Sequence, residues 1–350
     1  SLYASFTVMI EKQLLQITRE FFPSSSIDIN EWQSVLEQCK KDISIYHLFS
    51  TTEYFVAYYS KNNAINLSII FYDNKKAVGI MPLITYQNLE QEWVLSSNGV
   101  EIVEPIFIQN LPRKVKNRIE VKLHDLILEL TRKLKIKQCQ FTNMDYFQLS
   151  SWYLIWANTA TEIFSTHHLL VDLSLPIDQI RLKFRKSFKP LVNKAIREWV
   201  VEVHNHPSEE LFEEFRLLHR KVAGKVTRPI DSWRIQKKQI DLAESFIVTV
   251  HDKLNTMIGC GLFVYSGYQG MYSVGAYKRE LFDKPIGHAV QMRAIESLKQ
   301  KGCLWYEIGQ KHLAVDKIKP TDKELSISHF KEGFSTRIVA RQHLIVKIYS

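Results

Sequence analysis

Residues 246–334 carry an order of elements that few folds accommodate. FIVTV (246–250), MIGCGLFVY (257–265) and QGMYSVGAY (269–277) read as three successive strands, rich in β-branched and aromatic residues and separated by short turns. IGHAVQMRAIESLKQ (286–300) puts Val290, Ala294, Ile295 and Leu298 on one helical stripe. CLWYEIG (303–309) reads as a buried strand, and the polar segment HFKEGFST (329–336) lies just beyond it. Strands, a covering helix and a returning strand predict an α/β (α+β) layer built on a mixed, mostly antiparallel sheet.

An earlier stretch follows the same plan. NLSIIFYDNKKAVGIMPLITY (66–86) reads as a strand hairpin turning at Asp73-Asn74, as SFIVTVHDKLNTMIGCGLFVY (245–265) turns at Asp252. The first hairpin is followed by a helix over 112–135, with Ile119, Leu123, Leu126, Leu130 and Leu134 on one face, and by the strand KQCQFTN (137–143). The repetition predicts two similar domains, 3–170 and 171–350. The strand HHLLVDLSLP (167–176) precedes a basic helix over 177–199, which Pro190 is expected to kink or break.

Composition narrows the class. A chain of 350 residues, 45% hydrophobic and 24% charged, suits a globular protein of one large or two medium domains. No apolar run approaches the roughly 20 residues of a membrane span. The start, SLYASFTVMIEKQ, lacks the basic-then-apolar form of a signal peptide. Cys39, Cys139, Cys260 and Cys303 are far apart with no CxxC pair. They read as buried free thiols in a reducing, cytoplasmic setting, and no metal site is expected. The net charge of +9 favours an anionic partner: a nucleotide, a tRNA, a phosphorylated lipid or a membrane surface. GxSxG, HExxH and Walker patterns are absent from the sequence. No aromatic interleaving marks the basic helix as a base-stacking platform, and DNA is not an expected partner.

Several stretches resemble the FemABX-like branch of the GNAT acyltransferase superfamily, including its FemAB-like and cellulose-biosynthesis-type N-acyltransferases. RLKFRKSFKPLVNKAIREW (181–199) is similar to the basic helix that opens the family's second domain. LFEEFRLLHRKVAGKVTRPIDSW (211–233) is similar to its paired helices. YSVGAYKRELFDKPIGHAVQMRAIESLKQKGCLWYEIGQ (272–310) and HFKEGFST match its Tyr-strand, Gly-led helix, "GC-x-x-Y-D-hydrophobic-G" strand and "FK-x-GFG" ending. Glu307 stands where the family has Asp, and Ser335 replaces the final Gly. The resemblance implies two tandem GNAT-like domains and transfer of an acyl or aminoacyl group to an amine. The donor it implies is acyl-CoA or aminoacyl-tRNA, used as a co-substrate without a metal.

The candidate residues carry two readings each. Lys331 would hold an oxyanion or donor phosphates; otherwise it is a solvated lysine beside Glu332. Glu307 would orient or deprotonate the attacking amine, or be a structural partner. Gly287 opens a helix whose free N–H groups suit phosphate, although KRELFDKPIGHA offers a single glycine where acyl-CoA sites carry several. Tyr272, Tyr277 and Tyr306 line a groove or pack the core. Arg220, Lys221 and Arg228 form a basic group, with Lys225, that binds phosphate or is solvated. By the resemblance, Phe330 belongs to the donor site. His167-His168, His204 and His206 read as surface histidines.

The leading expectation is an N-acyltransferase acting on an amine of a cell-envelope sugar, peptide or lipid-linked precursor, with the donor site in the second domain. The competing one, from a different class, is a non-catalytic GNAT-like module that binds an anionic polymer or lipid.

Overall fold

The computed structural model describes residues 1–23, 27–40 and 43–348. The chain divides into two compact units, 1–165 with 341–350, and 166–340.

The first unit opens with three helices that the sequence reading does not anticipate: α1 (Leu2–Phe21), α2 (Ile29–Cys39) and α3 (Phe49–Tyr58). Short strands follow: β1 (Ile65–Asn66), β2 (Ile69–Asp73), β3 (Lys76–Met81), β4 (Ile84–Gln87), β5 (Trp93–Ser96), β6 (Ile102–Val103) and β7 (Ile106–Phe107). The β2–β3 hairpin closes Asp73 on Lys76. Asn74 and Lys75 both adopt positive φ there, 49° and 67°, the backbone of a two-residue turn that matches strand twist. The expected second strand of this hairpin is two strands, because Pro82 divides β3 from β4. Helix α4 (Arg113–Leu134) buries the whole predicted stripe, Ile119 to Leu134. Strand β8 (Gln138–Thr142) runs parallel to β6, and α5 (Ser151–Ala157) adds Trp152 and Trp156 to the core.

The second unit is entered along β9 (Glu162–Asp172). The basic segment that follows is two helices, α6 (Ile177–Leu182) and α7 (Phe188–Glu198), rather than one. The break falls before Pro190, not at it. A proline in the first turn of a helix forfeits an N–H that has no partner there, so Pro190 sits within the start of α7. Strand β10 (Val200–His204), α8 (Glu209–Ala223) and α9 (Ile230–Asp241) precede three long strands, β11 (Ser245–His251), β12 (Met257–Tyr265) and β13 (Gln269–Tyr277). Helix α10 (Ile286–Gln300), β14 (Trp305–Lys311), α11 (Asp322–Glu332) and β15 (Arg337–Lys347) complete the chain. The sheet of this unit has the order β10-β11-β12-β13-β14-β9, antiparallel except for β13 beside β14. Val290, Ala294, Ile295 and Leu298 of α10 are buried in its core with Phe246, Phe263 and Tyr306.

The last strand belongs to the first unit over its final residues. His343–Lys347 pair antiparallel with Thr142–Gln138 of β8, so the second compact unit ends at Ala340 rather than at the chain end. Cys39, Cys139, Cys260 and Cys303 are free and buried. Among the described residues, no helix is long and apolar enough to cross a membrane.

Candidate active site

Strands β13 and β14 pair only over Gln269–Met271 and Trp305–Glu307. Past that point they continue to Tyr277 and Lys311 without pairing to each other. Each bulges where they part. Leu262 faces Val274 and Phe263 faces Tyr272, which leaves Ser273 unopposed on β13. On β14, Glu307 faces Leu170 and Gly309 faces Leu169, which leaves Ile308 unopposed. A bulge bends and over-twists its strand, so two bulges at the same level open a gap in the sheet.

Lys331 enters this gap. Residues 329–332 of the segment expected to be a short polar stretch form the last turn of α11, a helix fixed at its start by reciprocal Thr321–Glu324 capping. The Lys331 ammonium lies 5.0 Å from the centre of the Tyr272 ring, a cation–π distance. Its side chain crosses Gly309 so closely that a Cβ there would sit 2.9 Å from both Cδ and Nζ. Burial lowers the Lys331 pKa, and the Glu307 carboxylate opposes that shift.

Glu307 is 3% exposed. His168 Nδ1 stands 3.4 Å from Glu307 Oε2, and its Nε2 is 2.7 Å from Thr166 Oγ1. With the Nδ1 proton towards the carboxylate, Nε2 accepts from the Thr166 hydroxyl, and the imidazole is held at both ends. His168 is therefore a buried residue on β9, not the surface histidine that the sequence suggests. Thr166 and His168 alternate along one face of that strand. This Thr-x-His spacing is the signal that sequence reading passed over, because nothing in it indicates that Glu307 lies across from it.

The other expected residues divide. The Tyr272 and Tyr277 hydroxyls meet at 3.1 Å. Burial pushes Tyr272 up to about 12 and Tyr277 well above its ordinary value, so both phenols are neutral hydrogen-bonding groups. Gly287 lies in the first turn of α10, behind Pro285, where no side chain among the described residues caps the helix. Its position leaves 3.3 Å from a built Cβ to Phe330 Cζ. Phe330 in turn packs on His288 and Phe334, at 4.8 and 5.4 Å between ring centres. The start of α10 and the end of α11 thus meet at Phe330. Tyr306 points the other way, into the core, where its hydroxyl donates to Gln291 Oε1 at 2.5 Å. In the FKEGF segment the residues separate by role. Gly333 makes room for the Phe188 ring, 2.2 Å from a built Cβ, Phe334 is fully buried, and Lys331 alone reaches the gap.

Arg220 and Arg228 line a different cavity, of 220 Å³, with Arg216, His219, Lys225 and Trp233. The Arg228 guanidinium stacks 3.7 Å from the Trp233 ring centre and donates to Gln236 Oε1 at 2.6 Å. Lys221 is exposed and is not part of that lining. Among the described residues, no group of three or more His, Cys, Asp or Glu is placed to hold a metal ion.

No protein-family model and no curated protein sequence matches the chain. Solved structures do match it. FemX superposes with a TM-score of 0.65 at 12% identity, over 91% of this chain and 96% of its own. The chain has the FemX fold. L-PGS from Bacillus licheniformis gives 0.55 at 13% identity, over 85% of this chain and 92% of its own. A conserved protein of unknown function from Bacteroides thetaiotaomicron gives 0.57 at 9% identity, over 93% and 100%. The expected two units of mixed, mostly antiparallel sheet and helix are observed, and their likeness to FemX is one of fold. At such identities the likeness speaks of fold, and function has to be argued from the site.

Proposed function

We propose that the protein is an N-acyltransferase. It moves an acyl or aminoacyl group from an acyl-CoA thioester or an aminoacyl-tRNA ester to an amine of a cell-envelope sugar, peptide or lipid-linked precursor. The observation that carries this reading is the parting of β13 and β14 at two facing bulges, with Lys331 laid across Gly309 inside the gap. An opening of this kind admits the carbonyl end of an extended donor between strands. The fold shared with FemX and L-PGS supports the same class.

The amine nitrogen attacks the donor carbonyl carbon, and negative charge builds on the carbonyl oxygen. The Lys331 ammonium and the first-turn N–H groups of α10 stabilise that charge or hold the donor's phosphates. The proton lost by the amine passes to Glu307, which His168 orients and Thr166 holds in turn. It returns to the leaving sulfur or oxygen as the C–S or C–O bond breaks. No covalent enzyme intermediate forms. The Arg220–Arg228 cavity would take phosphate groups of a substrate. Free buried thiols suit a cytoplasmic setting.

The test is acyl transfer from a panel of CoA thioesters and aminoacyl-tRNAs. Lys331→Met should lower kcat about 100- to 1,000-fold with an unchanged unfolding temperature. Because burial lowers the Lys331 pKa, the wild type should lose activity on the alkaline side before an ordinary lysine would titrate, and the variant should lack that limb. Unchanged turnover in Lys331→Met removes the lysine from the mechanism. The donor is read separately. A CoA donor gives saturable thermal stabilisation by CoA, and a tRNA donor gives binding that weakens steeply with salt.

A further inference from the structure

Strands β11, β13 and β14 run in the same direction within the sheet of the second unit, since β12 is antiparallel to both its neighbours and β14 is parallel to β13. The turn after β11 (252–256), the connection after β13 (278–285) and the loop after β14 (312–321) therefore leave the sheet at one end. It is the end at which β13 and β14 have parted. Among the described large hydrophobic side chains of this unit, the four most exposed all sit on these three connections. Leu254 is 86% exposed, Phe282 88%, Val315 89% and Ile318 79%. Scattered single apolar residues need no explanation, but a set gathered on separate loops at one end does.

Charge accompanies them. Lys253, Lys278, Arg279, Lys284, Lys317 and Lys319 stand on the same connections. Of the acids there, Asp252 accepts from the Leu254 and Thr256 N–H groups and Asp316 from the Leu313 N–H, so those two carboxylates close turns. Glu280 and Asp283 are the others. Apolar tips ringed by cations are the chemistry of a surface that enters the headgroup layer of an anionic bilayer.

We propose that this end of the second unit docks on a membrane interface containing anionic lipid, with Leu254, Phe282, Val315 and Ile318 in the headgroup layer and the cations against lipid phosphates. Docking would set the open gap against the lipid surface. The inference stands on loop chemistry alone and needs no acyl transfer.

The test is flotation of the full chain with vesicles of phosphatidylcholine, alone or mixed with phosphatidylglycerol. Binding is expected to the mixed vesicles and to weaken with salt. The variant carrying Leu254→Ser, Phe282→Ser, Val315→Ser and Ile318→Ser should bind at least about tenfold more weakly, with its unfolding temperature unchanged. Neutralising Lys317 or Lys319 should cost about fivefold each. Phe282→Trp should show a blue-shifted emission on mixed vesicles. Failure of the wild type to bind them, or undiminished binding by the fourfold variant, overturns the proposal. A concentration-dependent dimer abolished by the same four substitutions would assign the tips to a second copy and also overturn it. Vesicle binding by a protein inactive with every donor would sink the acyltransferase reading and leave docking standing.

Discussion

At the scale of the residue, the gap depends on what is missing at position 309. Gly309 lets Lys331 lie flat across β14, where any side chain would meet its Cδ and Nζ at 2.9 Å. The near atoms are the mobile end of a lysine, so Gly309→Ala is expected to displace the ammonium rather than unfold the protein. It should reduce kcat about tenfold or more while stability changes by less than about 1 kcal/mol. Kinetics and thermal unfolding of one preparation check both halves, and a loss of stability equal to the loss of activity would refute the separation. Lys331 and Glu307 were legible as chemistry-bearing residue types near one another in the chain. His168 was not, because its meaning comes from a carboxylate on another strand.

At the scale of the element, periodicity revealed what packing later used. The stripes of α4 and α10 are buried as their spacing predicts, since a helix packed on a sheet needs one apolar face. The α6–α7 break comes about one turn before Pro190, which serves as a first-turn residue rather than as the breaker its position suggests. Helix α11 went unread, although Thr321 and Glu324 form a capping box in plain sequence. That box positions the turn bearing Lys331. Thr321→Ala is expected to destabilise by about 1 kcal/mol, measured by denaturant unfolding, because it frees the Glu324 N–H that the hydroxyl now accepts from. An unchanged midpoint would mean that the α11 start contributes nothing to the folded state.

At the scale of the whole molecule, the chain leaves its first unit and returns to it at the end. Residues 343–347 complete the pairing of β8, and Leu344 and Val346 are buried in the first unit's core. Ending the chain at Ala340 strips β8 of that partner and opens the core. The truncated protein should lose at least about 3 kcal/mol. Its 138–142 amides should exchange with solvent far faster, by hydrogen exchange. Full protection of those amides in the truncated chain would contradict the assignment of the last strand to the first unit.

The sequence by itself determined the run of three strands, helix and strand from β11 to β14, the repeated plan, and the presence of a lysine in an FKEGF ending. Those are local properties, written in periods of two and 3.6 residues and in turn chemistry. Tertiary structure alone decided where β13 and β14 stop pairing, that Glu307 faces His168, that Tyr306 turns to the core, and that the last strand goes back to the first unit. Each of these is a pairing between distant segments. A strand's pattern says which face is buried but carries no record of the strand beside it.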